Sequence, residues 1–174
     1  PATSGELADL RASFLVWTTT PWTLVSNTAI AVHPDVDYCV VKTTVDDVSE
    51  TLVVAQPLLS KVTGAHEILK TIKGKELERI SYSRPFDYLE IPDSHFIVLA
   101  TYVTTEDGTG LVHQSPAFGA DDLQVCRRYG LPVVNPVAPD GRFLENVPLV
   151  GGTFFKEADK ALIKELKSKG LLFK

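Results

Sequence analysis

Short runs of β-branched and aromatic residues recur along this chain, and they constrain its fold more than any other feature. Each run is bounded by Pro, Gly, Asp or Asn, as β-strands usually are. Several runs are apolar throughout, which indicates strands buried on both faces, as in a barrel. The predicted strands are Ser13–Trp17, Thr28–Val32, Tyr38–Lys42, Thr51–Ala55, His95–Val103 and Leu111–Gln114.

Three further segments have the composition and spacing of helices. Glu157–Lys169 places its apolar residues on one stripe, with acids near its start and lysines near its end, as the helix dipole favours. The other two predicted helices are Pro57–Val62 and Asp121–Tyr129, the second of which Gly130 ends. The predicted fold class is therefore mainly β, a β-barrel core with peripheral α-helices, in a single domain over residues 1–174.

The composition excludes several classes of protein. Hydrophobic residues make up 44% of the 174 positions, which is ordinary for a globular chain, and no apolar run reaches the roughly 20 residues that a membrane helix needs. Cys39 and Cys126 lie far apart, and no CxxC or HxxxH spacing occurs. We therefore predict buried free thiols, no metal site, no membrane contact and a cytoplasmic location. The net charge of −5 predicts that any contact with nucleic acid is small.

The stretch Trp17–Leu24 combines four hydroxyls and two indoles within seven positions. Pro21 favours an extended conformation for Thr20, so we predict that the threonine run leaves a strand rather than enters a helix. Alone, the run fits two descriptions: an edge strand with solvated threonines, or a pocket lip where hydroxyls position a water or a ribose. Asn27 belongs to this lip or to a turn.

The stretch Glu106–Asp122 indicates a glycine-rich turn, a short apolar strand that includes His113, a loop and a helix start. Gly108 and Gly110 allow the backbone to approach a ligand or a neighbouring strand closely, but their spacing lacks the pattern of a dinucleotide fingerprint. No strong nucleophile stands out in this segment.

Two residues of the second stretch can carry chemistry, and each also has a plainer explanation. Asp121 is the better candidate for capping the helix. Asp122 then lies in the first turn, where a carboxylate kept ionised by the helix dipole can receive a cationic amine. His113 is a satisfied core histidine, or else a steric wall or proton carrier beside a small pocket.

The two stretches together resemble motifs of a known family. Trp17–Thr23 resembles the threonine-rich peptide of the isoleucyl-tRNA synthetase editing domain, an insert called connective polypeptide 1 (CP1). Gly108–Asp122 resembles the second editing motif of that domain, in the right order along the chain. The related valyl and leucyl enzymes usually carry Arg-Pro with an acid two places after that arginine, whereas this chain has Thr20-Pro21-Trp22. The resemblance is therefore to the isoleucyl branch.

The resemblance implies a role for each matching residue. Asp122 matches the aspartate that anchors the α-ammonium group of a misattached amino acid. His113 matches the residue that admits valine and excludes isoleucine by size. The catalytic positions beside Asp122 are the hydroxyls that place the ester and the attacking water, Thr18, Thr19 and Thr20. The other substrate-binding positions are Trp22, Thr23 and Asn27.

The implied activity is hydrolysis of mischarged Val-tRNA(Ile) and of valyl-adenylate within an isoleucine–tRNA ligase. The implied partners are the 3′ end of the tRNA carrying valine, valyl-adenylate, and the rest of the synthetase chain. The aminoacylation signatures of the family, HIGH-like and KMSKS-like, are absent. No cofactor is therefore expected in this domain, and ATP and Mg²⁺ are expected only in a synthetic domain outside it.

Three other interpretations stay open. The chain can be a barrel that binds an aminoacyl group or an adenylate without hydrolysing it, a valyl-type editing domain of different specificity, or a free-standing deacylase. The start at Pro1 and the end at Lys174 favour a fragment of a larger enzyme over the last of these.

Overall fold

The computed structural model describes every residue, Pro1–Lys174, and its backbone divides into two compact units. Unit 1 comprises Pro1–Thr18, Ala29–Ser83 and His95–Gln114, and unit 2 comprises Thr19–Thr28, Arg84–Ser94 and Ser115–Lys174. All the strands lie in unit 1, whereas the two longest helices lie in unit 2. The single domain over residues 1–174 stays a prediction. No helix is both long enough and apolar enough to cross a bilayer.

Unit 1 is built from two mixed sheets. Its strands are β1 Ser13–Phe14, β2 Ala29–Val32, β3 Asp37–Val45, β4 Val48–Ala55, β5 His66–Lys73, β6 Phe96–Leu99 and β7 Leu111–Gln114. The first sheet has the order β1-β4-β3-β5, in which only β1 and β4 are parallel. The second has the order β6-β2-β7, with β2 parallel to β6 and antiparallel to β7. The mainly β class is thus confirmed, and no strand pairing closes either sheet into a barrel.

Short helical segments precede or connect the strands of unit 1. They are α1 Gly5–Asp9 and α2 Leu59–Val62, with 3-10 helices at Gln56–Leu58 and Gly74–Leu77. The predicted helix over Pro57–Val62 is therefore part 3-10 and part α-helix.

Tyr38 joins the two sheets of unit 1 at the centre of its core. The side chain is fully buried on β3, and its hydroxyl donates to the carbonyl of Gly110 at 2.6 Å while accepting the amide of His33 at 2.9 Å. Burial raises the pKa of Tyr38 to about 12, so the phenol stays protonated and can donate. The contact fixes the segments that flank β2 and β7 against the larger sheet.

Gly110 has to be a glycine because of the strand beside it. Its φ is +79°, and an added Cβ would collide with the side chain of Ala55 on β4. Of the two uses that the sequence suggested for this glycine, close approach to a neighbouring strand is the observed one. Gly108, with φ +73°, instead makes room for the indole of Trp17.

We expect Gly110→Ala to lower the free energy of unfolding by about 3 kcal/mol, because the left-handed backbone and the collision with Ala55 both penalise a methyl group. Equilibrium urea unfolding measures the change. Gly64→Ala is the matched control, since an added Cβ at Gly64 meets nothing within 4 Å. Equal stability of the two variants would contradict the argument.

Unit 2 contains three helices and has its own apolar core. Its helices are a 3-10 helix at Pro21–Ser26, α3 Ala120–Arg128 and α4 Phe155–Ser168. The predicted apolar stripe of α4 is confirmed: Ala158, Leu162 and Leu166 are buried, and Ala161 packs against the same cluster. The residues that α4 meets in this core are Leu24, Val25, Phe86, Phe143, Val147 and Val150.

Candidate functional site

The threonine-rich stretch leads into a 3-10 helix, and this corrects the sequence prediction for it. Thr20 is non-helical, with φ −129° and ψ 74°, but Pro21 then occupies the first position of the 3-10 helix Pro21–Ser26. Proline is well suited to that position, since it lacks the amide that a first turn would leave without a partner. The run therefore enters a helix instead of leaving a strand, and the helix fixes the directions of Trp22 and Thr23.

Trp22 is held from three directions within unit 2. Its backbone amide donates to a carboxylate oxygen of Asp159 on α4 at 2.9 Å. Its indole packs edge-on against Phe118, with the ring centroids 4.7 Å apart, and tilted against Phe155 at 4.6 Å. The three contacts make Trp22 a rigid apolar wall.

A chain of hydrogen bonds connects the threonine-rich stretch to Asp122. The Thr23 hydroxyl donates to the carbonyl of Thr20 at 2.8 Å, and the Ser26 hydroxyl donates to the carbonyl of Thr23 at 3.2 Å. The hydroxyls of Ser26 and Ser115 lie 2.6 Å apart, and the Ser115 amide donates to Asp122 Oδ2 at 2.9 Å. Because Ser26 uses its proton on Thr23, Ser115 donates in the bond between the two serines. All five residues belong to unit 2, and the two motifs thus share one bonded network.

Asp122 lies in the first turn of α3 with its carboxylate turned back towards the preceding loop. The residue that caps α3 is Gly119, so the prediction that Asp121 caps this helix is wrong. A Cβ at Gly119 would lie 3.0 Å from the Asp122 carboxyl group, so the glycine leaves space for that group. Burial raises the pKa of Asp122, and the amide of Ser115 opposes the rise by stabilising the charged form. A half-buried carboxylate of this kind gains from a cationic partner.

The hydroxyl-bearing residues differ in their access to solvent. Thr19 and Thr20 are exposed and Thr18 is half-buried, whereas Thr23 and Asn27 are buried. Asn27 ends the 3-10 helix, and its amide donates to the carbonyl of Leu24 at 3.2 Å. The surface-accessible hydroxyls are therefore those of the threonine run, while Asn27 contributes to the packing beneath it.

His113 lies on β7 in unit 1, opposite Ile30 of β2. The ring is 8% exposed, and its burial lowers the pKa of His113 to about 4. The imidazole is therefore neutral at pH 7 and a weak base. Of the roles that the sequence left open, a satisfied core histidine and a neutral steric wall both agree with this environment better than a proton carrier does.

The network also contains residues that the sequence analysis did not single out. Ser26 and Ser115 are 0% and 1% exposed, and Asp159 lies on α4, which the sequence predicted only as an amphipathic helix. The Ser115 position falls inside a motif, but a contact with Ser26 across 89 positions has no sequence signature. Of the predicted site residues, Thr19, Thr20, Trp22, Thr23, Asn27 and Asp122 belong to unit 2, and Thr18 and His113 belong to unit 1.

No group of three or more His, Cys, Asp or Glu side chains is arranged to hold a metal ion. Cys39 and Cys126 are buried free thiols. The half-buried carboxylate of Asp122 can bind an organic cation, and the exposed hydroxyls of Thr19 and Thr20 can hold a water through hydrogen bonds.

Comparison with curated proteins gives matches over the whole chain. No protein-family model matches it. The isoleucine–tRNA ligase of Streptomyces coelicolor is 61% identical over an alignment that covers 100% of this chain and 16% of that protein. The isoleucine–tRNA ligases of Thermus thermophilus and Methanocaldococcus jannaschii are 46% and 39% identical, covering 94% and 96% of this chain and 15% and 18% of those proteins. The chain thus spans less than a fifth of the length of these relatives.

Solved structures match the fold. The structure described as GlLeuRS-CP1 has a TM-score of 0.69 at 17% identity, covering 94% of this chain and 84% of that chain. The editing domain of the P. falciparum cytosolic leucyl-tRNA synthetase has a TM-score of 0.64 at 12% identity, covering 97% and 86%. At these identities the likeness concerns the fold, and it confirms the predicted editing-domain-like architecture.

Proposed function

This chain belongs with the isoleucine–tRNA ligases, of which it represents one segment with the fold of a CP1 editing domain, and from that premise we propose that it hydrolyses misacylated tRNA. The specific substrates proposed are Val-tRNA(Ile) and valyl-adenylate, with isoleucine excluded by size. The partners proposed are the acylated 3′ end of the tRNA and the rest of the synthetase.

The observation that carries the proposal is the hydrogen-bond network that links Thr20 to Asp122. It holds the Asp122 carboxylate and the Thr20 carbonyl at fixed positions within one compact unit, and the exposed Thr20 hydroxyl lies 3.3 Å from the Thr23 hydroxyl. A carboxylate receives an α-ammonium group, and hydroxyls that reach solvent can hold a water beside an ester. These are the two functions that hydrolysis of an aminoacyl ester requires of a protein.

The chemistry needs neither a metal nor a dedicated nucleophile. An aminoacyl ester is an activated bond, and holding water near attack geometry can supply several kcal/mol by itself. Asp122 acts in this proposal as an electrostatic anchor, because a carboxylate paired with an ammonium is a poor proton acceptor. Thr18, Thr19 and Thr20 place the ester and the water.

Editing by a second site is needed because valine and isoleucine differ by one methylene. A pocket extracts only about 1–3 kcal/mol from such a difference, a limit for which the discrimination of isoleucine from valine is a standard example. An editing pocket reverses the selection, since an extra methylene overfills a rigid cavity at a cost of about 1–3 kcal/mol. We assign this size limit to His113.

The setting of the reaction is also part of the proposal. We propose that this segment uses no cofactor and that it works in the cytoplasm, where the free thiols of Cys39 and Cys126 would stay reduced. ATP and Mg²⁺ would serve only the aminoacylation reaction of the larger enzyme.

The test is a deacylation assay with the full-length protein and purified Val-tRNA(Ile). We expect many turnovers per enzyme molecule with Val-tRNA(Ile) and at least about 100-fold slower hydrolysis of Ile-tRNA(Ile), the matched control. Valyl-adenylate is assayed in parallel. Tight binding of both ligands without turnover would overturn the proposal in favour of a binding module, and faster hydrolysis of a threonyl ester than of a valyl ester would favour a valyl-type editing domain.

A further inference from the structure

The solvent face of helix α4 carries a row of lysines. Lys156, Lys160, Lys164 and Lys167 are all exposed, and their spacing of four, four and three residues places them on one face of the helix. The buried residues of α4, such as Leu162, lie on the opposite side. We call these four residues the lysine stripe.

The positive charge of the lysine stripe is not neutralised within the protein. None of its four amines lies within 4.0 Å of a carboxylate. The acidic residues of α4 do not pair with these lysines. Asp159 accepts the Trp22 amide, the carboxylate of Glu165 lies 4.0 Å from the Lys169 amine, and Glu157 forms no ion pair. Four positive charges on one face of a helix, with no carboxylate beside them, are complementary to an anionic partner.

The lysine stripe begins at the wall of the candidate site. The Phe155 ring packs against Trp22, and the amine of Lys156 lies 5.9 Å from the centre of the same ring. From there the stripe follows α4 for about 16 Å, at 1.5 Å of rise per residue. The first lysine of the stripe therefore lies beside the ring that packs against Trp22.

The overall acidity of the chain does not oppose such a partner, because the charge is unevenly distributed. Unit 1 contains seven of the 17 Lys and Arg residues and twelve of the 22 Asp and Glu residues, whereas unit 2 contains ten of each. The net charge of −5 thus belongs to unit 1, and unit 2, which bears the stripe, is neutral. The prediction of a small contact with nucleic acid, which was based on the net charge of the whole chain, therefore does not extend to unit 2.

We propose that the lysine stripe binds the phosphodiester backbone of the tRNA strand whose aminoacylated 3′ end is hydrolysed at the candidate site, an inference that rests on the proposed function. Successive phosphates along the strand match successive lysines along the helix. Valyl-adenylate has a single phosphate and no strand beyond it, so it gains nothing from the stripe.

The test is the triple variant Lys160→Gln, Lys164→Gln and Lys167→Gln in the full-length protein. Glutamine keeps the helix propensity of lysine and removes only the charge. Lys156 is left in place because its neighbour Phe155 supports Trp22. The control is Lys42→Gln, Lys61→Gln and Lys75→Gln, which removes the same charge from unit 1.

In the triple variant we expect the KM for deacylation of Val-tRNA(Ile) to rise about 10-fold, with kcat within twofold of wild type and valyl-adenylate hydrolysis unchanged. The binding constant of uncharged tRNA should depend less steeply on salt, its log-log slope falling by about 2 as three phosphate contacts to a single strand are lost. The control should change neither quantity.

An unchanged KM and salt slope would overturn the inference, and so would an equal effect of the control variant. A loss of kcat and of adenylate hydrolysis without a change in tRNA binding would also overturn it, since it would show a structural role for these lysines. Binding of uncharged tRNA does not require hydrolysis. A stripe-dependent salt slope in a protein that deacylates nothing would therefore support the stripe while refuting the proposed function.

Discussion

Asp122→Ala is expected to reduce deacylation of Val-tRNA(Ile) by about 1000-fold in the full-length protein while leaving isoleucine activation intact. Removing one partner of a buried charge pair costs about 2–5 kcal/mol, and 1000-fold corresponds to about 4 kcal/mol. The substrate ammonium would lose its only assigned anchor, and the Ser115 amide would lose its acceptor. Single-turnover deacylation and ATP–pyrophosphate exchange measure the two activities separately.

Two further variants separate charge from structure at this position. Asp122→Asn keeps an oxygen that can accept the Ser115 amide but removes the negative charge, so we expect it to be nearly as inactive as alanine. Asp121→Ala is the matched control, because Asp121 is exposed in the same helical turn and should leave deacylation within about twofold of wild type. Undiminished deacylation by Asp122→Ala would refute the anchor role.

The pH dependence follows from the direction of the Asp122 shift. Burial raises the pKa of Asp122 in the free protein, so the carboxylate becomes protonated at a higher pH than an ordinary aspartate does as the solution is acidified. In the proposed mechanism the ionised carboxylate binds the substrate, so kcat/KM should decrease as the pH falls through this raised pKa. At saturating substrate the bound ammonium stabilises the carboxylate, so kcat should decrease only at a lower pH.

The sequence predicted best the strands that are buried on both faces, because such strands appear in the sequence as short apolar runs. Leu111–Gln114 was predicted with its observed bounds, and β2 within one residue, because both are almost wholly buried. β5 was not predicted, since most of its side chains are exposed and its pattern is largely polar. His95–Val103 was predicted too long: only Phe96–Leu99 pairs with a neighbour.

In the candidate site, too, the sequence predicted the features that neighbouring residues determine and missed the contacts between distant residues. Helix α3, observed over Ala120–Arg128, was predicted over Asp121–Tyr129, because acids in a first turn and a glycine after the last turn are local signals. The pairing of Ser26 with Ser115 and of Trp22 with Asp159 joins residues 89 and 137 positions apart. Only the fold brings such residues together, so composition and spacing carry no trace of them.

His113→Ala is expected to make correctly charged Ile-tRNA(Ile) a substrate. The His113 ring is buried on a paired strand, and truncating it removes a rigid wall. We expect the preference for valyl over isoleucyl ester to fall by about 10- to 100-fold, which matches the about 1–3 kcal/mol that one methylene is worth in a pocket. Parallel deacylation assays with the two charged tRNAs measure the ratio, and retained hydrolysis of Val-tRNA(Ile) shows that the variant is folded.

The matched control is His113→Gln, which keeps most of the bulk and the hydrogen-bonding capacity of a neutral imidazole and should preserve the discrimination. Because burial lowers the pKa of His113 to about 4, the ring is uncharged throughout the neutral range, and the wild-type preference should not change between about pH 6 and pH 8. A proton carrier would behave differently, since its loss would slow hydrolysis of both esters equally and glutamine would not replace it. If His113→Ala still fails to hydrolyse Ile-tRNA(Ile), His113 is not the residue that excludes isoleucine.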